Sequence, residues 1–278
     1  MNERDLVLCS GTVMQSSVVD RIDAAARAGF AGLTLFPFDP PAARAAGLAE
    51  ADLRTYLADH GLAIAYLDAL AGWLPGGTAV RPEFATGVGE DELYRMADVL
   101  GATSMNVVDL CGGAPLPVDE AAEAFAGVCD RAAAHGLAIH LEFIPWTRIP
   151  TLEVAWDIVG TADRGNGGIL FDNFHWFRGG GSLESLAAVP GSRITALQLS
   201  DATARPPDDL VEEAVAGRLL PGTGAAGVVE LVRALDAQGC TAPPGVEVFS
   251  AELAALPTGV AIDRAARALR DVIGAAQA

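Results

Sequence analysis

Short apolar runs recur along the chain, each separated from the next by an amphipathic, alanine-rich stretch. The runs are Leu6–Cys9, Gly32–Phe36, Ala63–Asp68, Ser104–Asp109, Ala138–Phe143, Gly168–Asp172, Ile194–Leu199 and Gly245–Phe249. Apolar runs this short read as buried strands. The stretches between them read as helices over Ser16–Ala28, Leu48–His60, Pro82–Leu100, Ala121–His135, Thr151–Thr161, Val228–Gln238 and Gly259–Ile273. Gly29, Gly61, Gly101, Gly136 and Gly239 follow such helices, where a left-handed C-cap suits a residue without Cβ. A strand, a helix and a second parallel strand cross over in one hand, and repeating that unit predicts a closed α/β barrel. The expected fold is a single-domain (β/α)8 TIM barrel over residues 1–278. A doubly wound sheet would want a G-x-G-x-x-G turn after the first strand, and Cys9-Ser10-Gly11-Thr12 does not supply it. Gly179–Gly181 reads as a loop tip and Pro206–Leu220 as an excursion after the seventh strand.

Composition narrows the chemistry. Hydrophobic residues make up 51% of the 278 and charged residues 19%, which supports a substantial core. All 18 basic residues are arginine. Without lysine there is no Schiff-base chemistry, no covalently held pyridoxal phosphate and no P-loop amine. A formal charge of -18 repels phosphodiester backbones, so no nucleic-acid partner is expected. Cys9, Cys111, Cys129 and Cys240 form no C-x-x-C pair and read as reduced thiols of a cytoplasmic protein. Met1–Asp5 is too charged for a signal peptide, and no apolar run approaches the ~20 residues of a membrane helix. No membrane partner is expected either.

The active end of such a barrel is where the strands end, so polar residues closing an apolar strand carry most weight. Glu142, Asp172, Gln198 and Glu247 stand there on the last four strands, and His175 follows Asp172 by three positions. An ionised carboxylate buried without a partner is costly, so a cation is expected among them. With no lysine, a divalent ion such as Mn2+ or Mg2+ suits this oxygen-rich set. The competing reading has each residue satisfied separately by backbone or arginine. His140 shares the parity of Glu142 and reads as a core histidine, while His60 and His135 suit helix ends.

Leu141-Glu142-Phe143, Phe171-Asp172-Asn173-Phe174-His175, Leu197-Gln198-Leu199-Ser200-Asp201, Arg218-Leu219-Leu220-Pro221-Gly222-Thr223-Gly224 and Gly245-Val246-Glu247-Val248-Phe249-Ser250 resemble the xylose-isomerase-like TIM barrels. That family includes sugar isomerases and epimerases, inosose and 3-dehydroshikimate dehydratases and endonuclease-IV-type proteins. The resemblance implies a metal held by Glu142, Asp172, Gln198 and Glu247, with Glu142 and Glu247 moving a proton and His175 beside the substrate or the metal. It also implies a homo-oligomer. Many members carry histidine where Gln198 stands, a departure that leaves the subfamily open.

The expected activity is a metal-dependent isomerase or epimerase that abstracts a proton next to the carbonyl of a small keto sugar, cyclitol or related polyol. A dehydratase using the same deprotonation is the alternative, and a small-molecule-binding barrel without catalysis is a second. Four histidines are few for an abasic-site nuclease. Trp146, Trp176, Arg178 and Arg205 are the expected substrate contacts, with Arg218 a further candidate. The aromatic strand ends, Phe36-Pro37-Phe38, Trp73, Phe143-Ile144-Pro145-Trp146 and Phe174-His175-Trp176-Phe177, either close the barrel mouth or meet a cyclic or apolar substrate body.

Overall fold

Apolar runs with β-branched and leucine side chains pack into strands here because every one of them is covered on both sides. The computed structural model describes residues 5–81 and 87–278. Its barrel strands are β1 (Val7–Leu8), β2 (Gly32–Leu35), β3 (Ala63–Leu70), β4 (Ser104–Val108), β5 (Ala138–Glu142), β6 (Gly167–Asp172), β7 (Ile194–Leu199) and β8 (Pro244–Val246). They close in the order β1-β8-β7-β6-β5-β4-β3-β2, all neighbours parallel. All eight expected strands are present, as a TIM barrel requires.

Helices wrap the outside and bury their apolar stripe against the strands. The first, Val18–Ala28, starts at Ser17, whose hydroxyl accepts from the Asp20 N–H, and ends at Gly29 with φ 76°. The last, Thr258–Gln277, packs against it and buries Ile262, Leu269 and Ile273, so the two ends of the chain close the ring. The expected helix over 82–100 begins at Glu90; its residues 82–86 lie outside the described residues. Gly89 in extended conformation is its N-cap, so the acidic first turn, Glu90 to Glu92, sets the start. The excursion 206–220 contains a helix, Leu210–Ala216, because the Asp209 carboxylate caps the N–H groups of Val211 and Glu212. Among the described residues no helix is long and apolar enough to cross a membrane.

Inside the barrel, Tyr66, Leu170 and Ala196 form a small layer beneath the carboxyl ends of the strands. His140 joins it edge-on to Tyr66 and bonds the Thr195 hydroxyl at 2.7 Å. Burial drives the His140 pKa down to about 4, so it is a neutral core imidazole, as its parity with Glu142 predicts. The register then sets the polar layer above. Asp172 lies level with Gln198, and Gln198 with Gly245, two residues before Glu247. A short antiparallel pair, Thr78–Ala79 with Cys111–Gly112, extends the rim beyond β3 and β4. Arg148 anchors this rim by bonding both oxygens of Asp109, at 2.8 and 2.9 Å, and the Pro75 carbonyl at 2.8 Å.

Candidate active site

The carboxyl ends of the strands open into a cavity of about 470 Å³, with Asp68, Glu142, His175, Gln198, Arg218 and Glu247 among its lining. Asp172 lies just behind that surface and is fully buried. Its role is set by the helix that follows it. One carboxylate oxygen accepts from the Phe174 N–H at 2.8 Å, which starts the short helix Asn173–Arg178 and turns His175 toward the floor. His175 Nε2 then stands 3.6 Å from Asp172 Oδ2 and 3.7 Å from Glu142 Oε1. Glu142, Asp172 and His175 each offer a ligand atom, all within 4.8 Å of one another.

Gln198 and Glu247 are arranged differently from the expected four-ligand set. The Gln198 amide N–H2 donates to Glu247 Oε1 at 3.1 Å and to the Tyr66 hydroxyl at 3.0 Å, leaving its buried Oε1 without a partner. Arg218 stands between Asp172 and Glu247, with Nη1 2.8 Å from Asp172 Oδ2 and 3.4 Å from Glu247 Oε2. The cation that meets the carboxylates in the chain itself is therefore a guanidinium. Two long-range pairings carry it there: Gly217 bridges to Ser250, and Leu219 to Asp201. Its Nε–H donates to the Ala214 carbonyl at 2.8 Å, and its plane lies over the Phe174 and Phe249 rings at 4.6 and 5.1 Å.

Two further residues belong to this floor. Asn106, on β4, donates from one amide nitrogen to Asp68 Oδ1 at 2.8 Å and to Glu142 Oε2 at 2.7 Å. Asp68 lies near the carboxyl end of β3 and is the fourth buried carboxylate of this floor. Four buried carboxylates against one guanidinium leave a large excess of negative charge, which is relieved by holding protons. Burial, reinforced by Asp68 and Asp172, pushes the Glu142 pKa up to about 8. Burial drives Glu247 well above the usual carboxylate range although Arg218 pulls it down, and raises Asp68 to about 6. His175 is pushed the other way, to about 4, so its imidazole is neutral. A neutral imidazole and proton-holding carboxylates are what a ligand set looks like before a cation replaces the protons. The orphaned Gln198 oxygen and the Glu142–Asp172–His175 cluster therefore fit a divalent ion.

The expected substrate contacts divide. Trp146 and Arg218 line the cavity. Trp176 does not: it is buried against Phe171, with Gly181 so close that any side chain there would strike its ring. Arg178 is committed to Glu213, where its Nε–H donates at 2.7 Å, and Arg205 is exposed outside the cavity lining. The helix capped by Asp172 presents His175 inward, while Trp176 turns to Phe171 and Arg178 is held by Glu213.

Residues 22–272 match the family described as xylose isomerase-like TIM barrel, and the chain belongs to that family. An inosose isomerase of Bacillus subtilis is 33% identical over 146 residues, 52% of this chain and 51% of that protein. A 3-dehydroshikimate dehydratase of Pseudomonas aeruginosa is 34% identical over 132 residues, 47% of this chain but 21% of the dehydratase. The chain thus matches about half the length, or less, of these curated relatives. Among solved structures, the IolI protein with a bound zinc atom superposes with a TM-score of 0.84 at 24% identity, covering 97% of this chain and 98% of that one. L-Ribulose 3-epimerase follows the same fold with a TM-score of 0.73 at 18% identity, covering 98% and 95%.

Proposed function

We propose that the chain is a divalent-metal-dependent isomerase or epimerase acting at the carbon next to the carbonyl of a small hydroxy-ketone. The observation that carries this reading is the floor itself, where buried Glu142 and Glu247 line one cavity and both hold protons more tightly than ordinary carboxyls. Similarity to inosose isomerase supports the same class. Glu142, Asp172 and His175 would hold the ion, with the free oxygen of Gln198 and Glu247 as the remaining donors. Mn2+ or Mg2+ suits their oxygen-rich character. When bound, such an ion supplies Lewis-acid stabilisation of the charge that develops on the carbonyl oxygen.

The chain's own groups supply the rest. One of Glu142 and Glu247 removes the proton on its side of the substrate carbon and the other returns one on the opposite side, inverting that centre. Arg218, fixed by Asp172 and two aromatic rings, offers N–H groups to a substrate oxygen. Loss of a neighbouring hydroxyl after deprotonation gives dehydration instead, a second reading supported by the match to 3-dehydroshikimate dehydratase. Incubation of hydroxy-ketones in deuterated water tests both: deuterium should enter at the carbon beside the carbonyl. Absence of exchange across aliphatic, cyclic and aryl hydroxy-ketones would contradict the reading, and an ultraviolet-absorbing enone would favour the lyase.

The floor also predicts how stability varies with pH. Glu142 moves from 4.5 in the open chain to about 8 when folded, so the stability from its protonated form is complete below pH 4.5 and is lost as pH rises through 8. His175 opposes this only below its unfolded value of 6.5, since folding holds it neutral. Between pH 6.5 and 8 the metal-free protein should therefore melt at progressively lower temperature. Divalent cation at one hundred times its Kd should raise the melting temperature at pH 8 by about 5 °C. A flat profile with no response to the ion would contradict the assigned floor.

A further inference from the structure

The cavity changes character between floor and mouth. Its carboxylates, Gln198, His175 and Arg218 form the polar floor, while the rest of the lining includes Met14, Phe36, Phe38, Val80 and Trp146. Three of the five exposed large apolar side chains among the described residues gather there: Met14 at 49%, Phe38 at 43% and Val80 at 37% exposure. Phe36 and Phe38 stack on each other with ring centres 5.0 Å apart, and both line the cavity. No serine, threonine, tyrosine or asparagine is among the described residues lining the cavity. Arg81, which also lines the cavity, lies 3.3 Å from Asp209.

A polyol entering this cavity would strip water from the hydroxyls along its whole length, and only those at the floor would find new partners. Each hydroxyl left unpaired against an apolar wall costs about tenfold or more in affinity. An apolar body of similar size instead gains from covering Met14, Phe38 and Val80.

Building on the proton-transfer reading above, we infer that the substrate is a hydroxy-ketone with an apolar body. Its polar head reaches the floor, and an aryl or alicyclic group lies against Phe36, Phe38 and Trp146. The substrate is thus not a free polyhydroxylated chain.

The test compares phenylacetylcarbinol, an aryl hydroxy-ketone, with fructose, using the metal-loaded protein. Binding is measured by calorimetry and deuterium exchange by proton NMR, each against the spontaneous rate. Phenylacetylcarbinol should bind at least about tenfold more tightly than fructose, and Phe38→Ser should erase most of that preference. Equal or tighter binding of fructose would overturn the inference, and exchange of fructose would in that case leave the proton-transfer reading standing. Preferential binding of phenylacetylcarbinol without exchange of either compound would support the apolar body and sink the reaction instead. Failure of both compounds to bind would also overturn the inference.

Discussion

Glu142→Gln and Glu247→Gln should each slow interconversion of two epimers by about a thousandfold, within the range typical of a lost general base. Glutamine keeps the shape of the side chain and can still accept the Asn106 hydrogen bond at position 142, so the barrel should fold with undiminished stability. Removing a buried ionisable group from an acid-rich floor even relieves repulsion. The two variants should differ in a second readout. If the carboxyls serve opposite sides of the carbon, each variant retains deuterium exchange for one epimer and loses it for the other. Normal interconversion in either variant would remove that carboxyl from the reaction.

Arg218→Met should produce the largest loss of stability of any single change at the floor. The guanidinium is 3% exposed and serves Asp172 and Glu247 together, so its removal strands two buried carboxylates. Breaking a buried ion pair from one side costs about 3–5 kcal/mol, which for a chain of 278 residues corresponds to a fall in melting temperature of about 5–9 °C. Added divalent cation should restore part of the loss, because it neutralises the same oxygens. Arg205→Ala, at an exposed position outside the cavity, should change neither stability nor exchange. Equal effects of the two substitutions would mean that Arg218 does not hold the floor together.

The barrel was legible because its pattern is local: each strand is an apolar run and each helix an amphipathic one. The same logic locates Glu142, Asp172, Gln198 and Glu247, since a polar residue closing a buried strand stands out against its neighbours. It fails to separate Asp68 from Asp109, which close their runs in the same way. Asp109 is answered by Arg148, 39 positions away, and anchors the rim; Asp68 faces the cavity. No feature near either residue records that difference. Asn106 was missed for a related reason, because its importance lies in bridging two carboxylates on different strands. Arg218 opens one of the motifs that carry the family resemblance, but its place on the floor was not legible, because the pairings that turn it inward reach forward to Ser250 and back to Asp201. Trp176 follows His175 directly, and neighbours in a helix point about 100° apart, so it turns against Phe171, while Arg178 is taken by Glu213 from 35 positions away.

The central claim is that the floor binds a divalent ion through Asp172 and its neighbours. Calorimetric titration of Mn2+ into chelator-treated protein tests it most directly, with Asp172→Ala measured alongside. One equivalent should bind with release of protons as Glu142 ionises, and the variant should lose that binding. An absence of heat with the native protein, or an unchanged isotherm with Asp172→Ala, would contradict the account.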